Sequence, residues 1–127
     1  MKIRAYILAA LLATCAFAKE VPVDRESVVG HWKLTSVATT DEKVREEALS
    51  GRKEFEFRKD GTVLNVCSAA NGEVAPESGT YRVDAGVIFV KMGIRKEEPA
   101  KAKIRDDALV IFPPEGPVTE LIFQKIK

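Results

Sequence analysis

Histidine occurs once in this 127-residue chain and cysteine twice, and only Cys67 lies outside the N-terminal segment. A metal centre of nitrogen and sulfur ligands needs three or four such donors, so His31 and Cys67 cannot furnish one. Charge of one sign is also missing. The 20 lysines and arginines nearly match the 19 aspartates and glutamates, which leaves no basic stripe for nucleic-acid phosphates. No glycine-rich phosphate loop is followed by Lys-Ser or Lys-Thr, and no Gly-x-Ser-x-Gly turn presents a nucleophile. Long apolar runs are lacking too: the longest, Ala5 to Phe17, falls short of the roughly 20 residues a spanning helix needs. These absences argue against a nucleotide site, a hydrolase of the nucleophile-elbow type, a nucleic-acid partner and a transmembrane span. The reading is non-enzymatic, with no catalytic residue, no metal and no cofactor.

What is present begins with an export signature. Lys2 and Arg4 precede the apolar run, and Ala16-Phe17-Ala18 supplies the small-x-small triplet of a peptidase site. Cleavage after Ala18 leaves 109 residues, enough for one modest core, and removing Lys2 and Arg4 takes the basic count from 20 to 18 against 19 acidic. The destination is then the periplasm or the medium. Leu12-Ala13-Thr14-Cys15 offers a rival reading as a lipoprotein anchored at Cys15, although Thr14 is an unusual residue for that motif and apolar Ala16 and Phe17 follow it. With only Cys67 in the cleaved chain, no internal disulfide can staple the fold. The expected organisation is a signal peptide at 1–18, a tether with a short helical turn at 19–29, and one domain at 30–127.

Period-two alternation dominates that domain. Trp32 and Leu34 fall opposite His31, Lys33 and Thr35, and Phe55 and Phe57 fall opposite Glu54, Glu56 and Arg58. Lys59-Asp60-Gly61, Asp84-Ala85-Gly86 and Asp106-Asp107-Ala108 read as tight turns. Longer connections run from Ala38 to Gly51, Ser68 to Ser78 and Met92 to Pro99, with an intermediate one at Pro113 to Pro117. Long and short connections therefore alternate, and in an antiparallel meander this gathers the long ones at one end. The prediction is an all-β fold: an eight-stranded antiparallel up-and-down barrel with an elaborated mouth and a plain base. Asp41 to Ser50 reads as a helix in the first long loop, with Gly51 as its left-handed cap, lying across the mouth or on the outside. Val28 and Val29 are expected to plug one end. The last strand, apolar on both faces, needs an outer cover, for which the N-terminal segment is the simplest candidate.

The run Gly30-His31-Trp32-Lys33-Leu34 resembles the opening strand of the small bacterial lipocalin-like domains. Phe55-Glu56-Phe57 before Asp60-Gly61-Thr62, then Gly79-Thr80-Tyr81-Arg82-Val83 and the closing Leu121-Ile122-Phe123 resemble the same family in the same order. The resemblance implies an exported barrel and, as in better-known lipocalins, a lipophilic ligand in the lumen. It also implies a basic residue packed over the tryptophan from the last strand, for which the candidates are Lys125 and Lys127 rather than an arginine.

The expected inward set also includes Leu64, Val66, Val83, Ala102, Leu109, Ile111 and Leu121. The ligand-binding candidates within the barrel are Trp32, Leu34, Phe55, Phe57, Tyr81, Ile88, Val90, Ile104 and Phe123. They either line a pocket for a small hydrophobic molecule or fill the lumen. Short strands favour a filled lower half and a shallow upper pocket. In the filled case the chain reads as an interaction or inhibitor module for an envelope or secreted protein, using the loops around Ala69 to Glu77 and Ile94 to Pro99. His31 is expected to point outward and Cys67 to be an unreactive thiol at a strand end.

Overall fold

A computed structural model describes residues 19–68, 72 and 74–126. The proposed signal segment, Cys15 included, lies outside the described residues, as do Lys127 and residues 69–71 and 73. The strands are β1 (Glu20–Pro22), β2 (Gly30–Thr39), β3 (Lys53–Phe57), β4 (Thr62–Ser68), β5 (Val74–Asp84), β6 (Val87–Met92), β7 (Glu98–Arg105), β8 (Ala108–Phe112) and β9 (Val118–Ile126). Two helices, α1 (Arg25–Val28) and α2 (Glu42–Leu49), complete the elements. Each strand from β2 onward pairs antiparallel with its successor, and β2 pairs with β9, so eight strands close on themselves.

The turn chemistry makes the base plain. Ala85 and Gly86 have φ of 49° and 79°, and Asp106 and Asp107 have 49° and 68°. Two successive positive φ values match the twist of the flanking strands in a two-residue hairpin. At the remaining base turn Asp60 Oδ1 accepts from the Thr62 amide at 2.9 Å and from Thr62 Oγ1 at 2.6 Å. The connections that contain α2, residues 93–97 and residues 113–117 emerge at the opposite end, as the alternation predicts.

Three local readings are corrected. Residues 19–25 are not a free tether, because Glu20–Pro22 pairs with β7, with Val21 opposite Ile104, just past the point where β6 stops pairing at Val87 and Lys101. That placement also removes the N-terminal segment as cover for β9. The connection expected from Ser68 to Ser78 is shorter, since Val74 to Ser78 already pairs with β4. β2 and β5, at 10 and 11 residues, are accordingly longer than expected and deepen the barrel. In β4 the faces are reversed. Val63 pairs with Phe57 and Asn65 with Phe55, so Val63, Asn65 and Cys67 face in and Leu64 and Val66 face out. Apolar residues on both sides of this strand left its phase ambiguous, and the register set by the hairpin decided it.

The base is solidly packed. Asp24 accepts from the Ser27 amide at 2.7 Å while its own amide donates to Ser27 Oγ at 2.9 Å, a capping box that starts α1. The helix delivers Val28, with no exposed surface, into a cluster with Val23, Trp32, Leu109 and Tyr81. Trp32 Nε1 donates to the Val28 carbonyl at 2.8 Å, and Lys125 Nζ lies 5.5 Å from the indole centroid. Lys125 thus occupies the place foreseen for a basic residue over the tryptophan. Glycine at position 30 leaves room for this approach: its φ of +146° would strain another residue, and a Cβ there, 2.4 Å from Lys125 Cε, would push the flexible lysine end aside.

Candidate functional site

Above this packed base the lumen opens into a cavity of about 280 Å³. Its wall is set by register. Phe55 and Phe57 reach it from β3, Ile88 and Val90 from β6, Ile111 from β8, and Leu121 and Phe123 from β9. Phe55 stacks on Phe57 at 5.8 Å between centroids and meets Phe123 edge-on at 5.8 Å, so the aromatic side is preorganised. A shift in β2 pairing between Leu34 and Ser36 marks a bulge, after which Val37 rather than Ser36 faces the core opposite Leu121.

Of the nine predicted interior residues, Phe55, Phe57, Ile88, Val90 and Phe123 line the cavity. Trp32, Leu34 and Tyr81 belong to the buried core cluster, with Ile104 packed against it, and none of the four lines the cavity. Tyr81 is fixed twice over. Its ring meets Phe57 edge-on at 4.9 Å and its hydroxyl donates to the Arg58 carbonyl at 2.6 Å. Burial holds the phenol above its ordinary pKa, which favours this donating form.

The sequence reading missed the cavity's polar groups: Asn65, Glu77, Arg95 and Glu98. Asn65 and Glu77 are register partners on β4 and β5, and Glu98 pairs with inward-facing Val90. Arg95, in the loop after β6, donates to Glu77 across the rim. Alternation within a single strand could have found Glu77, since it is in phase with Tyr81 through Gly79. Pro76 and Gly79 mask that signal, because they give residues 74–78 the look of a loop. Cys67 is half-buried on the inner face, and its thiol donates to Asn65 Oδ1 at 3.5 Å.

The helix in the first long connection begins where Asp41 Oδ1 accepts from the Lys43 and Val44 amides at 3.0 and 3.3 Å. It ends before Gly51, whose φ is 71°. Arg45 ties it to the mouth end of β2 by donating to the Thr39 carbonyl at 2.6 Å. Ala48 packs on the core, but no residue of α2 lines the cavity.

A second polar cluster sits on the outer wall. Glu54 is 5% exposed, and its carboxylate accepts from His31 Nε2 at 2.5 Å and from Arg52 Nε and Nη2 at 2.5 and 3.2 Å. The Arg52 hydrogen bond is the main cause that holds Glu54 below the ordinary carboxylate pKa, with a further hydrogen bond from His31 acting against desolvation. A lowered folded-state pKa means stability that is present above the unfolded value of about 4.3 and is lost as pH falls through the folded value. Arg52→Ala is therefore expected to lower the melting midpoint clearly at pH 7 and by less at pH 3, toward which acidification increasingly neutralises Glu54. Melting curves at the two pH values check this; equal losses would remove the charge-pairing account.

Comparison with protein-family models and with curated proteins returns no match for the sequence. Among solved structures the chain is similar to a lipocalin-like protein from Bacteroides uniformis, with a TM-score of 0.58 and 19% identity over 79% of this chain and 99% of that one. At this identity the likeness concerns the fold alone. The chain has a lipocalin-like fold, an eight-stranded antiparallel barrel with a short helix in its first long connection. Among the described residues no helix is long and apolar enough to cross a membrane.

Proposed function

We propose that the protein is an exported, non-enzymatic binding module that holds one small lipophilic molecule at the barrel mouth. The observation that carries this is the cavity of about 280 Å³, closed below by the Trp32 cluster and walled by aromatic and aliphatic side chains. Its size is near the low end of small-molecule sites and about twice the roughly 150 Å³ that accommodates a benzene ring. The ligand is therefore expected to be a small aromatic or a short-chain amphiphile rather than a long-chain lipid. Thermal-shift and native mass spectrometry screens with short hydrophobes are expected to find a ligand that raises the melting midpoint in a saturable way. No stabilisation across such a panel would sink the reading.

Export with cleavage after Ala18 belongs to the same proposal. In support, the Lys19 amide nitrogen lies 3.1 Å from Asp106 Oδ1, and the Lys19 carbonyl accepts from the Asp106 amide at 3.1 Å. Cleavage at that bond would place the new α-ammonium group against a carboxylate at the base. Mass spectrometry of the mature protein is expected to find Lys19 at its N-terminus; a lipidated Cys15 would overturn it.

A second reading, an interaction module for an envelope or secreted protein, draws on Ile94, fully exposed in the loop after β6, and on Val74, 49% exposed at the start of β5. Both lie at the mouth end.

A further inference from the structure

The cavity's rim carries charge that a purely apolar ligand would not use. Three ionisable side chains line it: Glu77, Arg95 and Glu98. Arg95 is committed, because its guanidinium donates to Glu77 across the opening. Glu98 opens β7 on the inward face beside Val90 and forms no ion pair among the described residues. Lys96 shares a small adjoining cleft of about 60 Å³ with Arg95 and Glu98 but does not line the cavity itself. A molecule whose hydrocarbon lies against Phe55, Val90 and Leu121 therefore brings its head to an opening with two carboxylates and one guanidinium already paired.

On the reading of the lumen as a ligand pocket, we propose that it takes a small cationic amphiphile, an alkyl or aryl amine, with the ammonium at Glu98. A fatty carboxylate of the same length would meet Glu98 as a like charge and would have to displace Glu77 to reach Arg95. Asn65, which also lines the cavity and pairs in register with Glu77, offers an amide oxygen and amino group to a polar substituent on the body. The rim is open to solvent, so the preference is modest and sensitive to salt.

Isothermal titration of the full mature chain with octylammonium, octanoate and the neutral 1-octanol, at low salt and neutral pH, tests this. Octylammonium is expected to bind about three- to tenfold more tightly than octanoate, as exposed charge pairs allow. Raising the salt should shrink the ratio. Glu98→Gln should bring it close to one by weakening octylammonium, while Glu115→Gln, a charge change in the 113–117 loop, should leave it unaltered. Octanoate binding as tightly as octylammonium, or a ratio insensitive to Glu98→Gln, overturns the amine assignment. Should octanol bind while neither charged probe does, the pocket survives and its head-group chemistry is wrong. If none of the three binds, the pocket reading fails and this inference with it.

Discussion

Trp32→Ala is expected to cost about 3–5 kcal/mol, the usual range for deleting a large aromatic from a core, and to lower the melting midpoint by about 15 °C or more. Trp32 is 2% exposed and ties β2 to two other parts of the base. It packs with Val28 of α1, it lies under Lys125 of β9, and its indole N–H satisfies the Val28 carbonyl. Truncation opens a void that the closed barrel cannot collapse into and leaves that carbonyl without its donor. Trp32→Phe separates the contributions, because it retains most of the packing and removes the hydrogen bond, for which about 1 kcal/mol is expected. Thermal and urea denaturation measure both. A loss below about 1 kcal/mol for the alanine variant would mean that the plug is held by something other than this residue.

Ala100→Phe is expected to weaken binding of any lumen ligand by at least about tenfold while leaving the barrel folded. Ala100 lines the cavity from β7, opposite Ile88, and is small enough that a ring placed there projects into open space rather than into packed atoms. One phenyl group takes up roughly half of the available volume, by the measure that benzene needs about 150 Å³. Filling also adds apolar contact, so thermal stability should hold or rise even as binding falls. Val90→Phe serves as a second filling variant. Unchanged ligand affinity in both would move the binding site out of the lumen. A protein partner captured equally well by wild type and filled variants, and lost on replacing Ile94, would favour the interaction reading.

The strands and their hairpins were legible because their signals are local. Asp-Gly turn chemistry, strict alternation in Lys53–Phe57, and the spacing of long and short connections each act within a few residues, and together they imply a closed meander. The helix at Glu42–Leu49 was legible for the same reason, through Asp41 at its start and Gly51 just beyond its end. Where both faces of a strand are apolar, as in Thr62–Ser68, alternation loses its phase. Where Pro76 and Gly79 interrupt the pattern, a paired strand looked like loop.

By itself, then, the amino-acid order determined the architecture, the packed tryptophan end and the outward placement of His31, all consequences of turn residues and two-residue periodicity. Tertiary structure decided what the lumen offers. Whether Asn65 or Leu64 faces in depends on pairing with a strand on the far side of a turn, and the meeting of Arg95 with Glu77 depends on a loop folding over its neighbour. Where the filled base ends and the open mouth begins is settled the same way. It follows from how far Val28, expected at that end, and Val23, which was not, dock into the barrel, a matter of contact between segments rather than of local pattern.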